Sequence, residues 1–323
     1  KRFDRAQFNV EKFKTLSDIK HIPLLKKKEL IFLQSIGPRL GGLLTKDIGE
    51  LKRIFLSPGP IFDPEDRMDD YWGYTEAFYS VGFRPGDVVQ VTFNYHLSPA
   101  GLMFEEPLRN LGCASIPAGP TDPGTQLDIM QKLRVSGYVG TASYLMHLAQ
   151  KAEEKGINLR KDLFQEVAFV TGERLSEKMR NQLEKKFDII LRQGYGTADV
   201  GCIGYECFHK TGLHISNRCY VEICHPDTGI PLKDGEVGEI VVTSFNKTYP
   251  LIRLATGDLS YIDRAPCACG RTSPRLGSIV GRVDTTARIK GMFVYPHQVE
   301  QVMARFEDIK RWQIEVINPG GID

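Results

Sequence analysis

From residue 87 the chain alternates short apolar runs with amphipathic stretches. DVVQVTFN is followed by PAGLMFEEPLRNLG, CASIP by GTQLDIMQKLRVSG, YVGT by ASYLMHLAQKAEEKG, and EVAFVTG by LSEKMRNQLEKKF, after which comes DIILRQGYG. The short runs, rich in Val, Ile and Phe, suit strands buried on both faces, and the intervening segments space their apolar residues as a helix does. This alternation predicts an α/β fold with a parallel sheet covered by helices. Ligands of such sheets bind beyond the carboxyl ends of the strands, which directs attention to the loops FNYHLSP, IPAGPTD, VTGERLS and QGYGTAD.

After residue 215 the helical spacing stops. RCYVEIC, the turn HPDTG, EVGEIVVTSF, LIRLATGD and LSYID predict a β-rich lobe. Before the sheet, residues 8–35 are mixed and charged. LSDIKHIPLLKKKELIFL predicts short helices around a break at Pro23 that cap the main domain, with no chemistry of their own. Beyond GRVD at 281–284, ARIKGMFVYPHQVEQVMARF predicts a strand or two and one helix, too little for a free-standing domain. The expected organisation is a large N-terminal domain, 1–281, and the start of a small C-terminal domain, 282–323, only partly present.

Composition narrows the function classes. The 323 residues are 41% hydrophobic and 25% charged, ordinary for a globular protein. Lys plus Arg, 42, nearly balances Asp plus Glu, 40, so no global field favours nucleic acid or an anionic membrane, and any phosphate recognition is local. No apolar run approaches the roughly 18 residues of a spanning helix, and KRFDRAQFNV lacks a signal peptide's apolar core. A cytoplasmic location is expected.

Six of the seven cysteines fall between residues 202 and 269, interleaved with histidines, which points to metal or catalysis before disulfides. Cys207 and His214 in CFHKTGLH, with Cys267 and Cys269 in APCACGRT, offer three thiolates and an imidazole. That set suits a closed, structural Zn2+ site. Cys202 and His209 are the substitutes, and Cys219 and Cys224 read as packing. The competing reading is a group of reduced cysteines buried as small hydrophobes.

Four motifs then occur in order: YGTAD (195–199), LATGD (254–258), CACGRTSPRLGSIVGRVD (267–284) and KGMFVYPHQVE (290–300), preceded by TGERLSE (171–177). Together they resemble the phenylacetate-CoA ligase branch of the adenylate-forming superfamily, over most of the chain. The resemblance implies ATP-dependent activation of an aromatic, phenylacetate-like carboxylic acid to an acyl-adenylate, then transfer to CoA with release of AMP and pyrophosphate. ATP, Mg2+, CoA and the acid are the implied cofactors and partners; a homodimer is left open. By the same resemblance Asp258 binds the ribose hydroxyls, Arg282 reaches ribose and phosphate, Tyr195 stacks on adenine, Gly196 admits the backbone close to the nucleotide, and Gly172 with Glu173 reads the adenine edge. Asp284 matches the hinge about which the small domain rotates. Phe93, Tyr95 and Phe104 are placed around the acid. For each of these a turn, surface or core role is the plain alternative.

The sequence departs from the family in three places. Residues 56–64, LSPGPIFDP, stand where a Gly/Ser/Thr-rich phosphate loop is expected, and their prolines remove N–H donors. In YGTAD, Ala198 replaces a hydroxyl donor and Asp199 a longer magnesium-binding glutamate, leaving Thr197 as a substitute hydroxyl. The family's catalytic lysine falls beyond residue 323. These changes keep two alternatives open, a protein that binds an adenylate or aryl acid with little or no turnover, and one that passes the acyl group to a carrier protein or amine. A zinc hydrolase is disfavoured, because four protein ligands leave no place for water.

Overall fold

The doubly buried runs do form a sheet with helices on both faces. The computed structural model describes residues 8, 9, 11, 13–289, 292–294, 299, 302, 303, 305, 306, 309 and 313. A 3-10 turn, Leu16–His21, leads into strand β1 (Leu25–Lys26) and helix α1 (Lys27–Ile36). The hairpin β2 (Arg53–Ser57) and β3 (Ile61–Glu65) and helix α2 (Thr75–Val81) follow. Then come β4 (Val88–Val91), α3 (Ala100–Asn110), β5 (Ala114–Pro117), α4 (Pro123–Lys132), β6 (Gly137–Gly140), α5 (Ala142–Glu154), β7 (Val167–Val170), α6 (Glu177–Phe187) and β8 (Ile190–Thr197). These five strands pair in parallel in the order β5-β4-β6-β7-β8. Helix starts follow local chemistry. Asp122, Thr141 and Ser176 accept the N–H of Thr125, Tyr144 and Met179, capping α4, α5 and α6.

Every residue of β6 and β7 is buried, yet the strands still alternate between faces. Val139, Val167 and Phe169 join a cluster with Phe78, Phe83 and Phe104 under α2 and α3. Tyr138, Ala168 and Val170 face Leu145, Leu148 and Leu183 on the other side, under α4, α5 and α6. Gly194 lets β8 pass the Phe169 ring, which a Cβ there would strike.

The sheet continues antiparallel through β9 (Gly201–Glu206) and β10 (Leu213–Ile215). The β-rich lobe is a second sheet of β11 (Cys219–Cys224), β12 (Gly238–Ser244) and β13 (Leu254–Ser260). The short strands β14 (Ile262–Asp263) and β15 (Arg275–Leu276) return to complete a nine-stranded sheet, and β16 (Gly281–Arg282) pairs with β13. β17 (Ala287–Ile289) and β18 (Met292–Val294) form a separate ladder. The remainder of KGMFVYPHQVE, and most of the expected small domain, lies outside the described residues.

The N-terminal segment differs from expectation. Instead of only capping the main domain, β1 adds to β13 of the lobe in parallel, Leu25 beside Leu254 and Lys26 beside Ala255. The reason is Arg253, fully buried, which binds the Glu222 carboxylate (2.9 Å) and the carbonyls of Lys20, Ile22 and Gly229. No described helix is long and apolar enough to cross a membrane.

Candidate functional site

A cleft of about 450 Å3 opens at the carboxyl ends of β7 and β8, where the alternating pattern places ligands, and the far wall is built by β13 and β16. It brings together Gly172, Glu173, Tyr195, Gly196, Asp258 and Arg282, six of the residues singled out in the sequence. LATGD is not a free turn. Thr256, Gly257 and Asp258 sit inside β13 as a bulge opposite Ile240, with Gly257 at φ +84° and its N–H donated to Glu239 (3.0 Å). The bulge aims Asp258 out of the sheet and into the cleft.

The two Asp258 oxygens are separately engaged. Tyr195 donates its hydroxyl to one (2.8 Å) and Arg282 a guanidinium N–H to the other (3.0 Å). Burial and the Asp258 charge push the Tyr195 phenol well above its ordinary value, so it remains a donor. Most of its ring is in the core, so the face left for stacking is narrow. Arg282 reaches back with Nε to Asp284 (3.0 Å), spanning the candidate ribose carboxylate and the candidate hinge. Glu173 lines the cleft and its carboxylate accepts from the N–H and hydroxyl of Ser143 at the start of α5. Gly196 is tightly enclosed. A Cβ there would collide with the Tyr74 hydroxyl and the Gly201 carbonyl. Gly196→Ala is expected to lower stability by about 1–3 kcal/mol, read as a fall in the urea midpoint, because neither neighbour can retreat from β8.

The phosphate-facing candidates lie apart from this cleft's lining. Residues 57–61 close the β2–β3 hairpin, and the Ser57 hydroxyl donates to the Ile61 carbonyl (3.3 Å), so it is already occupied. The Thr197 hydroxyl is buried without a partner among the described residues. Asp199 is buried too, and one of its oxygens holds the ammonium of Lys27 from α1 at 2.8 Å. Near it, Asp63 of the hairpin is fully buried, and burial together with the Asp199 charge pushes its carboxyl up to about 7. Neither Lys27 nor Asp63 was found in the sequence. The triple lysine at 26–28 was the available signal for one, and for the other there was none.

Of the acid-pocket residues, Phe93 and Phe104 pack with ring centroids 4.9 Å apart, but Phe104 belongs to the sheet core. Phe93 borders the cleft, 3.6 Å from where a Gly172 Cβ would stand. Tyr95 lies across Gly101, its phenol raised by burial and Glu105.

Cys207, His214, Cys267 and Cys269 converge, with one ligand atom from each within 4.8 Å of all the others. Tetrahedral zinc with ordinary bond lengths sets S–S edges near ~3.8 Å and S–N edges near ~3.6 Å. The Cys207–Cys267 separation is 3.7 Å and that from Cys269 Sγ to His214 Nε2 is 3.4 Å. His214 Nδ1 faces the Ser273 hydroxyl (3.3 Å), which fixes the ring with Nε2 inward. Burial opposes the Cys267 thiolate, but the Cys269 N–H, the Cys269 and Thr211 side chains and His214 hold it at about 5. Cys202 is buried in the sheet core, outside the group. The four side chains bring the loop between β14 and β15 together with the end of β9 and with β10.

The model of the AMP-binding enzyme family matches residues 72–247. A phenylacetate-coenzyme A ligase of Thermus thermophilus is 30% identical over 338 residues, spanning 99% of this chain and 74% of that protein. One from Escherichia coli K12 is 27% identical, spanning 100% and 75%. Among solved structures, an open conformation of 2-hydroxyisobutyryl-CoA ligase in complex with 2-HIB-AMP and CoA superposes with a TM-score of 0.87 at 24% identity, over 95% of this chain and 75% of that one, and establishes likeness of fold.

Proposed function

The chain belongs to the AMP-binding enzyme family, as a phenylacetate-CoA ligase-like adenylate-forming enzyme, and on that premise we propose that it uses ATP to convert a carboxylic acid to an acyl-adenylate and then to a CoA thioester. The acid oxygen attacks the α-phosphorus and the bond to pyrophosphate breaks. The CoA thiolate then attacks the acyl carbon, and AMP leaves with the bonding pair. Because the nucleophiles belong to the substrates, the protein's part is to orient them and stabilise phosphoryl charge.

The observation that carries this reading is Asp258, raised on a bulge into the cleft with its two oxygens oriented by Tyr195 and Arg282. An ionised carboxylate so placed accepts from two vicinal ribose hydroxyls. Gly172 and Gly196 let backbone approach the base, with Tyr195 beside it. The acid, on our reading aromatic, lies toward Phe93, with Tyr95 behind. Arg282 links nucleotide recognition to the hinge at Asp284, where the domain of residues 1–281 gives way to the small domain.

Magnesium would be held by Asp199, whose second oxygen has no hydrogen-bond partner among the described residues, and there it would shield phosphate charge. Zinc would be held by Cys207, His214, Cys267 and Cys269 and is structural. Cytoplasmic location completes the reading.

Acid-dependent exchange of labelled pyrophosphate into ATP tests the function across aryl and short acyl acids. Exchange with at least one acid is expected. AMP binding without exchange would favour the non-catalytic reading, for which the occupied Ser57 hydroxyl is the motive. For the metal, about one zinc per chain is expected. Cys267→Ser should lose it and melt at a lower temperature; a metal-free parent that is soluble and binds AMP would sink the clamp.

A further inference from the structure

We propose that Asp63 and Asp199 together form the seat of a divalent cation, and that Lys27 is the built-in ammonium which neutralises this seat until the cation takes its place. The proposal deepens the reading of Asp199 given above and rests on it.

The first observation is an imbalance of partners. Among the described residues the second Asp199 oxygen has no hydrogen-bond partner, and the carboxyl of Asp63 has at most the Ser57 hydroxyl beside it, although Asp63 is fully buried and Asp199 is 7% exposed. Buried carboxylate oxygens normally accept bonds, and leaving them unpartnered is costly. One ammonium serves two carboxylates. The ammonium pairs with Asp199 at 2.8 Å, and Asp63 feels it through its charge.

The second observation is why these groups meet. Leu25 and Leu30 of the N-terminal segment, Ile61 of the hairpin and Tyr249 form one apolar cluster, against which Val200 packs. Each charged residue is one to three positions from a member of that cluster, so packing forces Lys27, Asp63 and Asp199 together. Gln34 of α1 further latches the hairpin, exchanging two 2.8 Å hydrogen bonds with the Phe62 backbone. The Thr197 hydroxyl at the end of β8, two residues before Asp199, is likewise buried with no partner among the described residues.

The chemistry favours a small hard cation. Mg2+ and Mn2+ take oxygen ligands, commonly one or two carboxylates with the rest of the shell from water or phosphate. Lys27 is 34% exposed along its side chain, so the seat communicates with solvent along the lysine, and the ammonium can swing out when a doubly charged ion enters. Lys27 starts α1 directly after β1, and β1 and β16 share the β13 edge that presents Asp258. The seat therefore lies along the same edge as the candidate ribose carboxylate.

Mn2+ alone, followed by electron paramagnetic resonance on zinc-loaded protein without nucleotide, tests the proposal. Lys27→Met, which removes the competitor, should bind Mn2+ at least about tenfold tighter than the parent. Lys27→Arg should not. Asp63→Asn should bind at least about tenfold more weakly while melting no lower than the parent without metal, since it removes a buried charge. Lys27→Met may be replaced by Lys27→Gln if it folds poorly, with the same expectation. Mn2+ binding unchanged by Asp63→Asn, no tightening on removal of the ammonium, or no binding by any variant at millimolar Mn2+ would overturn the seat. Absence of pyrophosphate exchange by the parent with every acid tried, alongside this binding pattern, would overturn the ligase reading and leave the seat standing.

Discussion

Asp258→Ala should weaken AMP binding about 100-fold, equivalent to about 3 kcal/mol, with little loss of stability. The affinity loss follows from removing an acceptor for two hydroxyls at once. Each charge-assisted bond is worth about 1.5–3 kcal/mol, and part is recovered by water entering the open cleft. Stability is spared because the Asp258 side chain is 17% exposed and Arg282 retains Asp284 as its counter-ion. Asp258→Asn keeps one acceptor and should fall between, about tenfold weaker. Titration calorimetry with AMP reads both. Equal affinity of Asp258→Ala and parent would mean that the nucleotide does not use this carboxylate, and the reading of the cleft would fall with it.

Arg253→Met should destabilise the chain by about 3–5 kcal/mol, seen as a lower urea midpoint. The guanidinium is 2% exposed and binds Glu222 together with the carbonyls of Lys20, Ile22 and Gly229. Its removal strands a buried carboxylate and leaves those carbonyls without their donor. Adding Glu222→Met should restore part of the loss, because the stranded charge goes with it. The variant should also free β1 from β13, so limited proteolysis ought to cut near residues 20–27 earlier than in the parent. If Arg253→Met melts with the parent, the N-terminal segment is held by something other than this arginine.

The second prediction turns on a contact that no local pattern could display. Lys20, Glu222 and Arg253 lie in three separate stretches of the chain, and Arg253 in LIRLATGD has the look of an ordinary surface residue. The same holds at the phosphate side. LSPGPIFDP read as a weakened loop, and Asp63 within it attracted no attention. Only folding brings it within electrostatic reach of Asp199 and Lys27.

By contrast, the parallel sheet and its flanking helices were legible in the sequence because each depends on neighbours a few residues away; the caps Asp122, Thr141 and Ser176 are equally local but stood out only in the structure. Periodicity and side-chain-to-backbone bonds are local physics. The nucleotide candidates Tyr195, Asp258 and Arg282, and the metal candidates Cys207, His214, Cys267 and Cys269, were also marked in advance, since chemistry that needs particular residue types leaves short, recognisable strings.

What the strings did not contain was orientation. LIRLATGD reads as a β segment with a turn the plain alternative at Asp258, and register against β12 makes it a bulged strand that lifts Asp258 into the cleft. Tyr195 is expected to stack on adenine, and the structure adds that its ring is largely buried in the cluster with Ile203 and Leu213 while its hydroxyl orients Asp258. The sequence by itself determined the fold class and most of the residues that could bind a ligand, because these follow from composition and spacing. The tertiary structure alone decided which of them share a charge, which oxygen each one faces and which stay unpartnered, because burial and electrostatics act between residues distant along the chain.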